Sequence, residues 1–315
     1  MKDKFYQKNI FFSSILSILF VILLLPTNTQ AQQDAMYTQY MFNSLMYNPA
    51  YAGTVDAISV TAIHREQWIG FLGRPQTSTI HVHGPRREKF GLGLALQRDK
   101  IGVHERYELQ GIYSYKFYVT PKSKISVGLS ANAIYQMSDY KDIDPTGTDA
   151  VFAENSTELL PNFGFGIYYY SNKHYLGFSI PRLITNNYSS TLLSGRQYRH
   201  FYVAGGLVLP LDPKGDLKLK PSALAKVVGA NAPPQLDVSL QLFIKNIFWV
   251  GTSYRTGDSL DFMTGFFLGR NLRIGYAFDW INTDIQEQTD LNSHEIMLGL
   301  DFSTNNQKII TPRYF

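Results

Sequence analysis

The sequence contains no cysteine among its 315 residues. Disulfide bridges, thiol nucleophiles and thiolate metal sites are therefore excluded together. Charged residues are also sparse, at 17% of the chain, and the formal net charge is +4. Lysines near the start of the chain supply part of that excess, so the charge balance gives no reason to expect a nucleic-acid partner.

The chain has one long apolar run, and it lies at the start. Three lysines precede an uncharged stretch over 10–25, and small residues up to Ala31 form a site typical of signal peptidase. The run is shorter than the roughly 20 residues of a membrane-spanning helix. We therefore predict a cleaved secretory signal peptide over 1–31 and a mature chain that begins at Gln32.

Aromatic residues are abundant, with 21 Tyr and 21 Phe in the chain. Five of them fall within 32–54, before any strand-like pattern begins: Tyr37, Tyr40, Phe42, Tyr47 and Tyr51. Helical spacing recurs there at Met36, Tyr40, Ser44 and Tyr47, which predicts one short amphipathic helix. Asn48 and Pro49 would end this helix, and Gly53 would permit a tight bend after it.

From Phe90 onward the sequence alternates between apolar residues and small or polar ones. In 90–97, leucines at every second position alternate with Gly91, Gly93, Ala95 and Gln97. Period two predicts strands with one apolar face. That face is nearly free of charge, as expected where a basic residue in lipid costs about 2–4 kcal/mol. The other face, rich in Gly, Ala, Ser and Asn, suits a crowded barrel interior.

Counting the strand segments favours a barrel over the alternative, a secreted array of β-sandwiches. We place strands near 55–63, 76–83, 90–97, 106–118, 124–137, 162–171, 174–182, 200–209, 216–228, 235–244, 247–255, 259–268, 272–281 and 294–303. About 14 strands is an even number, as in bacterial single-chain barrels. The fold class predicted is all-β: a transmembrane outer-membrane β-barrel of antiparallel strands over 55–303, with an N-terminal plug-like segment over 32–54.

The connections between these strands alternate in length. Long connections such as 98–105, 138–161 and 183–199 are typical of extracellular loops, and short ones of periplasmic turns. Both chain ends, including a tail over 304–315, would then be periplasmic. Tyr and Trp near strand ends predict interfacial girdles, at Tyr113, Tyr115, Tyr118, Tyr168, Tyr169, Tyr170, Trp249 and Trp280.

In this architecture the aromatic segment 32–54 begins in the periplasm beside the barrel mouth and folds into the lumen as a plug. Two roles stay open: a cap that only seals the barrel, and a gate or docking latch for a partner. The short turns carry a basic rim, composed of Arg86, Arg87, Lys89, Lys122, Lys124, Lys173, Lys214, Lys245 and Arg270. This rim suits an acidic periplasmic partner or the headgroups of outer-membrane lipids.

Two clusters resemble metal sites only weakly. In the acidic loop 138–161, the aspartates at 142, 144 and 149 follow the spacing of a calcium loop, but Ala153 replaces its bidentate Glu. His81 and His83 share a strand face with His64 across a hairpin, and no carboxylate completes a zinc site. We therefore expect no metal.

The remaining histidines, His174, His200 and His294, stand at strand starts without a nucleophile motif beside them. We expect no catalytic residue and no cofactor, and hence a protein that is not an enzyme.

Four stretches carry more specific information. They are YTQYMFNSLMYNPAYAG at 37–53, HREQWIGFLGRPQTSTIHVHGP at 64–85, GLGLALQRDKIG at 91–102 and PRYF at 312–315. Together they resemble the PorP/SprF family of type IX secretion and gliding-motility membrane proteins. The resemblance implies a Gram-negative outer-membrane protein that serves the export of large surface proteins, including motility adhesins. It also implies plug, rim or docking roles for Tyr40, Met41, Asn48, Pro49, Tyr51, Gly53, Arg65, Trp68 and Pro75.

The resemblance implies two versions of the function. In one, extracellular loops led by 138–161 and 183–199 hold the C-terminal domain of a secreted, adhesin-like surface protein. In the other, the periplasmic face couples the barrel to periplasmic secretion components. The alternative is a passive outer-membrane transporter or porin with an N-terminal hatch for a hydrophobic or small ligand. A conducting channel should carry charged ladders inside, and the small residues expected there favour docking.

Overall fold

The computed structural model describes residues 34–140, 155–189, 194–228, 233–269, 271–281 and 292–302. The predicted signal peptide, the C-terminal tail and most of the acidic loop, with its calcium-like spacing, lie outside these residues. The described strands are β1 (Ile58–Glu66), β2 (Gln76–Pro85), β3 (Phe90–Ile101), β4 (His104–Thr120), β5 (Ser123–Ser138), β6 (Ser156–Ser171), β7 (His174–Ile180), β8 (Asn187–Ser189), β9 (Ser194–Arg196), β10 (His200–Leu207), β11 (Leu209–Pro210), β12 (Leu217–Val228), β13 (Gln235–Ile244), β14 (Phe248–Arg255), β15 (Ser259–Leu268), β16 (Leu272–Ile281) and β17 (Ser293–Phe302).

Fourteen of these strands form one closed antiparallel barrel. Each pairs with the next along the chain, β10 pairs with both β7 and β12, and β1 pairs with β17 to close the cylinder. Strands β8 and β9 form a separate hairpin in the connection between β7 and β10, and β11 only extends the edge of β12. The predicted barrel and its strand number are confirmed.

Side-chain burial alternates along the strands as the sequence pattern requires. On β3, for example, Leu94 and Leu96 are 52% and 45% exposed, whereas Ala95 between them is 1% exposed. The outward residues of most strands are large and apolar, so together they form a continuous apolar band that suits hydrocarbon. Within the described ranges, no helix is both long and apolar enough to cross a membrane.

The interior differs from the expectation of small residues. Buried charged side chains line it on many strands: Arg65, Glu108, Lys116, Lys220, Lys226, Asp237, Arg255, Asp261, Arg273, Asp279, Glu295 and Asp301. The expectation that small residues line the lumen without charged ladders was therefore wrong in leaving out these charges. Eight strands contribute one or two of these charges each, which look minor in a single strand but add up around a closed barrel.

The aromatic girdles were only partly predicted. Tyr113, Tyr118 and Trp280 are about half exposed on the outer surface. Three others are buried inside the barrel instead: Tyr168, Tyr170 and Trp249. Their position near strand ends was read correctly, but the strand parity points their rings toward the lumen.

The two ends of the barrel are distinguished by their connections. We call the end where β1 begins the turn end and the end where β1 finishes the loop end. At the turn end, β13 and β14 are joined through Lys245 and Asn246, both with positive φ near 50° (51° and 53°), as in a tight hairpin. At the loop end, the predicted loop 98–105 was wrong, because β3 and β4 pair as far as Ile101 and His104. The predicted loop 138–161 is likewise shortened, since β6 already begins at Ser156.

Candidate functional site: a segment inside the barrel

Residues 34–54, which we call the luminal segment, lie inside the cylinder and are almost entirely buried. They contain a 3-10 turn at Tyr40–Phe42, a single α-helical turn α1 at Ser44–Tyr47 and a second 3-10 turn at Pro49–Tyr51. Two short turns, at Tyr40–Phe42 and Ser44–Tyr47, thus replace the predicted single amphipathic helix, and the third turn follows its predicted end. Asn48 ends α1 as predicted, and its side-chain oxygen accepts a hydrogen bond from the Ala50 N–H at 2.9 Å, which starts the following turn.

The luminal segment runs from the loop end to the turn end. Asp34 lies beside Arg106, Arg182 and His200, which all belong to the loop end. At the other extreme, the Gly53 carbonyl accepts a hydrogen bond at 2.7 Å from Lys116, near the turn end of β4. The segment was predicted to start beside the barrel mouth at the end that carries the short turns, and that placement was wrong. The chain instead enters at the loop end and descends the lumen, which delivers it to the start of β1.

A buried charge network holds the part of the luminal segment that lies nearer the loop end. The Glu295 carboxylate accepts hydrogen bonds from the N–H groups of Thr38 and Gln39 at 2.8 and 2.9 Å. Arg65 donates to the Thr38 hydroxyl at 2.6 Å and forms ion pairs with Asp279 at 2.6 Å and Glu295 at 3.5 Å. Hydrogen bonds to charged groups are stronger than neutral ones, so this network ties the segment firmly to β1, β16 and β17.

A second arginine fastens the segment to a neighbouring part of the wall. Arg255 on β14 donates to the Tyr37 carbonyl at 3.3 Å and pairs with Asp237 at 3.0 Å. The Tyr37 hydroxyl is hydrogen-bonded to Thr79 on β2. Contacts with β2, β14 and β17 attach this part of the segment to one arc of the wall, which runs from β14 through β17 and β1 to β2.

Aromatic rings fill the space between these polar anchors. The rings of Tyr37 and Tyr47 meet edge to face at 6.1 Å, and Tyr47 packs on Tyr202 of β10 at 5.2 Å. Phe42 contacts the inward-facing Trp249 at 5.0 Å. Such pairs add about 0.5–1.5 kcal/mol each beyond the burial of their surface.

Glycines in the wall make room for the part of the segment that lies nearer the turn end. A Cβ on Gly128 would lie 2.2 Å from the Ala50 nitrogen, and one on Gly166 would lie 2.0 Å from the Asn48 side-chain oxygen. Asn48 also donates to the Ile167 carbonyl at 3.0 Å. The small inward residues therefore do serve a crowded interior, as their pattern predicted, although charges share that interior with them.

Burial and neighbouring charges shift the titration of groups in the segment. Burial alone would raise the pKa of Asp34, but the adjacent Arg182, His200 and Arg106 outweigh it and hold that pKa well below its usual range. Burial raises the pKa of both Tyr40 and Tyr51 to about 12. Asp34 is therefore an anion and both tyrosines are neutral at ordinary pH.

The structure brings most of the predicted site residues together. Six are buried in the luminal segment, and a seventh contacts it through Thr38; these are Tyr40, Met41, Asn48, Pro49, Tyr51, Gly53 and Arg65. Trp68 and Pro75 lie apart from them, in the connection between β1 and β2. Sequence reasoning missed Asp34, Thr38, Asp279 and Glu295. Of these, only Asp279 and Glu295 carry a signal in the sequence, because the alternation of their strands places them on the inward face.

The suggested histidine cluster does not assemble as a site. His81 and His83 are buried in the lumen with their rings stacked at 6.2 Å, whereas His64 is exposed on the outer face. Across the part of the chain that the structure describes, no group of three or more His, Cys, Asp or Glu could hold a metal ion.

A family model described as "Type IX secretion system membrane protein PorP/SprF" matches residues 29–300. A search of proteins with curated annotation finds no match. Among solved structures, the CymD monoaromatic hydrocarbon channel is 12% identical with a TM-score of 0.46, covering 86% of this chain and 94% of that chain. A Pseudomonas aeruginosa FadL homologue is 11% identical with a TM-score of 0.47, covering 83% and 94%. The Acinetobacter baumannii outer membrane protein Omp33 is 11% identical with a TM-score of 0.45, covering 78% and 99%.

Proposed function

Because the chain belongs to the PorP/SprF family of type IX secretion system membrane proteins, we propose that it is a docking barrel rather than a conduit. It would anchor a secreted surface protein, through an adhesin-like C-terminal domain, at the loop end. The turn end would meet periplasmic secretion components. The chain would have no catalytic role. It would be exported with a signal peptide that is cleaved after Ala31, and the mature protein would then reach the outer membrane.

The observation that supports this proposal most directly is the packing of the luminal segment. Side chains from β2, β4, β14, β16 and β17 hold it by hydrogen bonds or ion pairs. Each buried aromatic removes about 150–250 Å² from water, which at roughly 25 cal/mol per Å² is about 4–6 kcal/mol. This packing supports the proposal that the segment acts as a plug, which would leave the ends of the barrel as the working surfaces.

Charges inside the barrel do not favour a channel once their partners are considered. Arg65, Arg255 and Arg273 all pair with carboxylates of the wall, at 2.6, 3.0 and 3.2 Å. A ladder that conducts ions needs charges that face open water. Here the same charges hold the wall and the plug together.

The turn end presents the basic rim that the sequence predicted. Arg86, Arg87, Lys122, Lys173 and Lys214 are all exposed there. We propose that this rim receives an acidic surface of a periplasmic secretion component, with attraction that weakens as salt rises. Lipid headgroups are the competing partner for the same cations.

Two measurements on the purified protein test the proposal. In a planar bilayer we expect no single-channel conductance from the wild-type barrel, and we expect a stoichiometric surface protein, or its C-terminal domain, after purification in mild detergent. A variant lacking 34–50 is the control that should conduct if it still inserts. If that variant fails to insert, Gly128→Leu, which would displace the segment near Ala50, replaces it. Conductance by the wild type without a protein partner would instead support the passive transporter.

A further inference from the structure

The outer surface of the barrel carries a groove where β1 lies between β17 and β2. Its volume is about 440 Å³. Ala62 lies in the middle of it, and the residues paired with Ala62 on the two neighbouring strands are the larger Leu298 and Ile80. Neighbouring strands are about 5 Å apart, so roughly 10 Å separates the two strands that carry these larger side chains. The small residue between two large ones therefore creates a depression with room for a hydrocarbon chain.

The groove is apolar over most of its length. Ile80, Leu96, Ile296 and Leu298 line it together with Ala62, and these four larger side chains are all exposed. The next outward residues toward the turn end on the same four strands are also apolar, namely Val60, Val82, Leu94 and Leu300. The groove thus belongs to the apolar band of the barrel. Because that band faces hydrocarbon, a lipid chain is what covers the groove.

The part of the groove nearer the loop end is polar. His64, Ser78, Arg98 and Tyr107 line it there, and the His64 ring is hydrogen-bonded to the Ser78 hydroxyl at 2.9 Å. Each of them lies two residues closer to the loop end than an apolar outward residue of the same strand, in turn Ala62, Ile80, Leu96 and Leu109. The groove therefore crosses from the hydrocarbon to the headgroup level, as a bound lipid molecule does.

The charges around this polar part are not balanced. Arg98 pairs through its Nε with Glu105 at 2.5 Å, and its side chain is still 41% exposed. Glu66 pairs with Arg74 at 3.0 Å. Lys100 is the next outward residue of β3 toward the loop end and is exposed, so it leaves an excess of one positive charge. Arginine and lysine side chains both bind phosphate, and an anionic headgroup complements this excess.

We propose that this groove binds lipid A, the phosphorylated glycolipid of the outer leaflet, with one acyl chain over Ala62 and a phosphate at Arg98 and Lys100. The inference takes the loop end as the extracellular end, in agreement with its longer predicted connections, and does not depend on the proposed docking function. The apolar part alone would accept the chain of any lipid. The excess positive charge at headgroup level favours an anionic lipid over a zwitterionic one.

The lipid that copurifies with the barrel tests the assignment. The protein is extracted from outer membranes in mild detergent, and bound lipid A and phospholipid are quantified per barrel by mass spectrometry. Ala62→Phe, which fills the depression, should lower bound lipid A by about tenfold, the effect of about two methylene groups that lose apolar contact. Val60→Phe is the matched control, because Val60 lies on the same outward face of β1 but outside the groove, and it should leave bound lipid A unchanged.

A second pair of variants tests the headgroup contact. Arg98→Gln should also lower bound lipid A by about tenfold, because a hydrogen bond to a charged group is lost. Lys100→Gln should lower it in the same direction without breaking the ion pair between Arg98 and Glu105. Arg87→Gln, at an exposed position of the turn end, should have no effect. Gel mobility of unheated samples shows whether each variant is a folded barrel, and Ala62→Leu replaces Ala62→Phe if that variant does not fold.

Several results would overturn the proposal. A wild-type barrel that retains no lipid, or retains phospholipid in place of lipid A, does not have this site. Equal retention of lipid A by the wild type and the folded groove-filling variant would overturn the assignment to the groove. Equal retention by the wild type and both charge variants would overturn the phosphate contact. A dimer of barrels in native mass spectrometry that is lost in the groove-filling variant would identify a second copy of this chain as the occupant instead.

Discussion

Replacing Glu295 tests whether the charge network secures the luminal segment. In the Glu295→Ala variant, the N–H groups of Thr38 and Gln39 lose their shared acceptor, and Arg65 keeps only Asp279 as a charged partner at close range. Glu295 is fully buried at 0% exposure, so water does not replace the lost carboxylate without further opening of the lumen. The variant removes contacts to the segment while leaving the backbone pairing of β17 in place.

The expected loss follows from the two hydrogen bonds. A hydrogen bond to a charged group contributes about 1.5–3 kcal/mol, so two of them amount to about 3–6 kcal/mol. Glu295→Gln retains one carbonyl oxygen as an acceptor and should lose about half as much. Glu66→Ala is the matched control, because Glu66 lies on adjacent β1 but faces outward in a partly exposed ion pair worth at most about 1 kcal/mol.

The assay is urea unfolding of the purified barrel in detergent, followed by tryptophan fluorescence and by gel mobility of unheated samples. Protein preparations, detergent and incubation time must be identical, since barrel unfolding is often governed by rate. We expect the midpoint to fall in the order wild type, Glu66→Ala, Glu295→Gln, Glu295→Ala. Equal midpoints for Glu295→Ala and Glu66→Ala would refute the conclusion that this carboxylate anchors the segment.

Three further outcomes are expected. Gly128→Ala should destabilise the barrel by about 1–3 kcal/mol through overpacking against Ala50. Gly111→Ala is the control and should not destabilise it, because its new Cβ would meet nothing within 4 Å. Equal unfolding midpoints for the two variants would contradict the close approach of Gly128 to Ala50. Asp34→Asn should lower the unfolding midpoint at neutral pH. The gap between the midpoints of the wild type and the variant should narrow as the pH falls below about 4, because an acid whose folded pKa is depressed stabilises the protein only while it is ionised. A gap that does not vary with pH would contradict the ion pairs of Asp34. An epitope inserted after Gln32 should be accessible on intact cells, whereas one at Gly215 in a turn should not, and the mass of the untagged mature chain should correspond to cleavage after Ala31. Labelling of both sites, or of neither, would contradict the entry of the segment at the loop end, and the reverse labelling would contradict an outward-facing loop end.

The strands could be predicted from sequence because their signal is local. In β16, for example, Arg273, Gly275, Ala277 and Asp279 face inward and are buried, as their alternation with large apolar residues predicts. Boundaries were less certain: β1 spans Ile58–Glu66 rather than 55–63, because its ends are set by pairing with β2 and β17. Pairing partners lie far apart in sequence and leave no trace in the pattern of one strand.

The role of Arg65 shows what a single chain does not reveal. The residue was marked by a motif, but its partners Asp279 and Glu295 stand more than 200 positions away and were read only as polar members of their strands. The direction of the luminal segment was missed for the same reason. Asp34 is an unremarkable acid in sequence, and only the closed barrel brings Arg106, Arg182 and His200 around it.

The luminal segment and the barrel wall complete each other's packing and hydrogen bonding, which explains why the aromatics precede the first strand. A closed wall of 14 strands leaves a lumen that wall side chains do not fill by themselves, and buried charges there require partners. The segment supplies both rings and backbone N–H groups, and the wall supplies space at Gly128 and Gly166. We therefore expect that a variant whose luminal segment is less tightly bound will also have a less stable barrel wall.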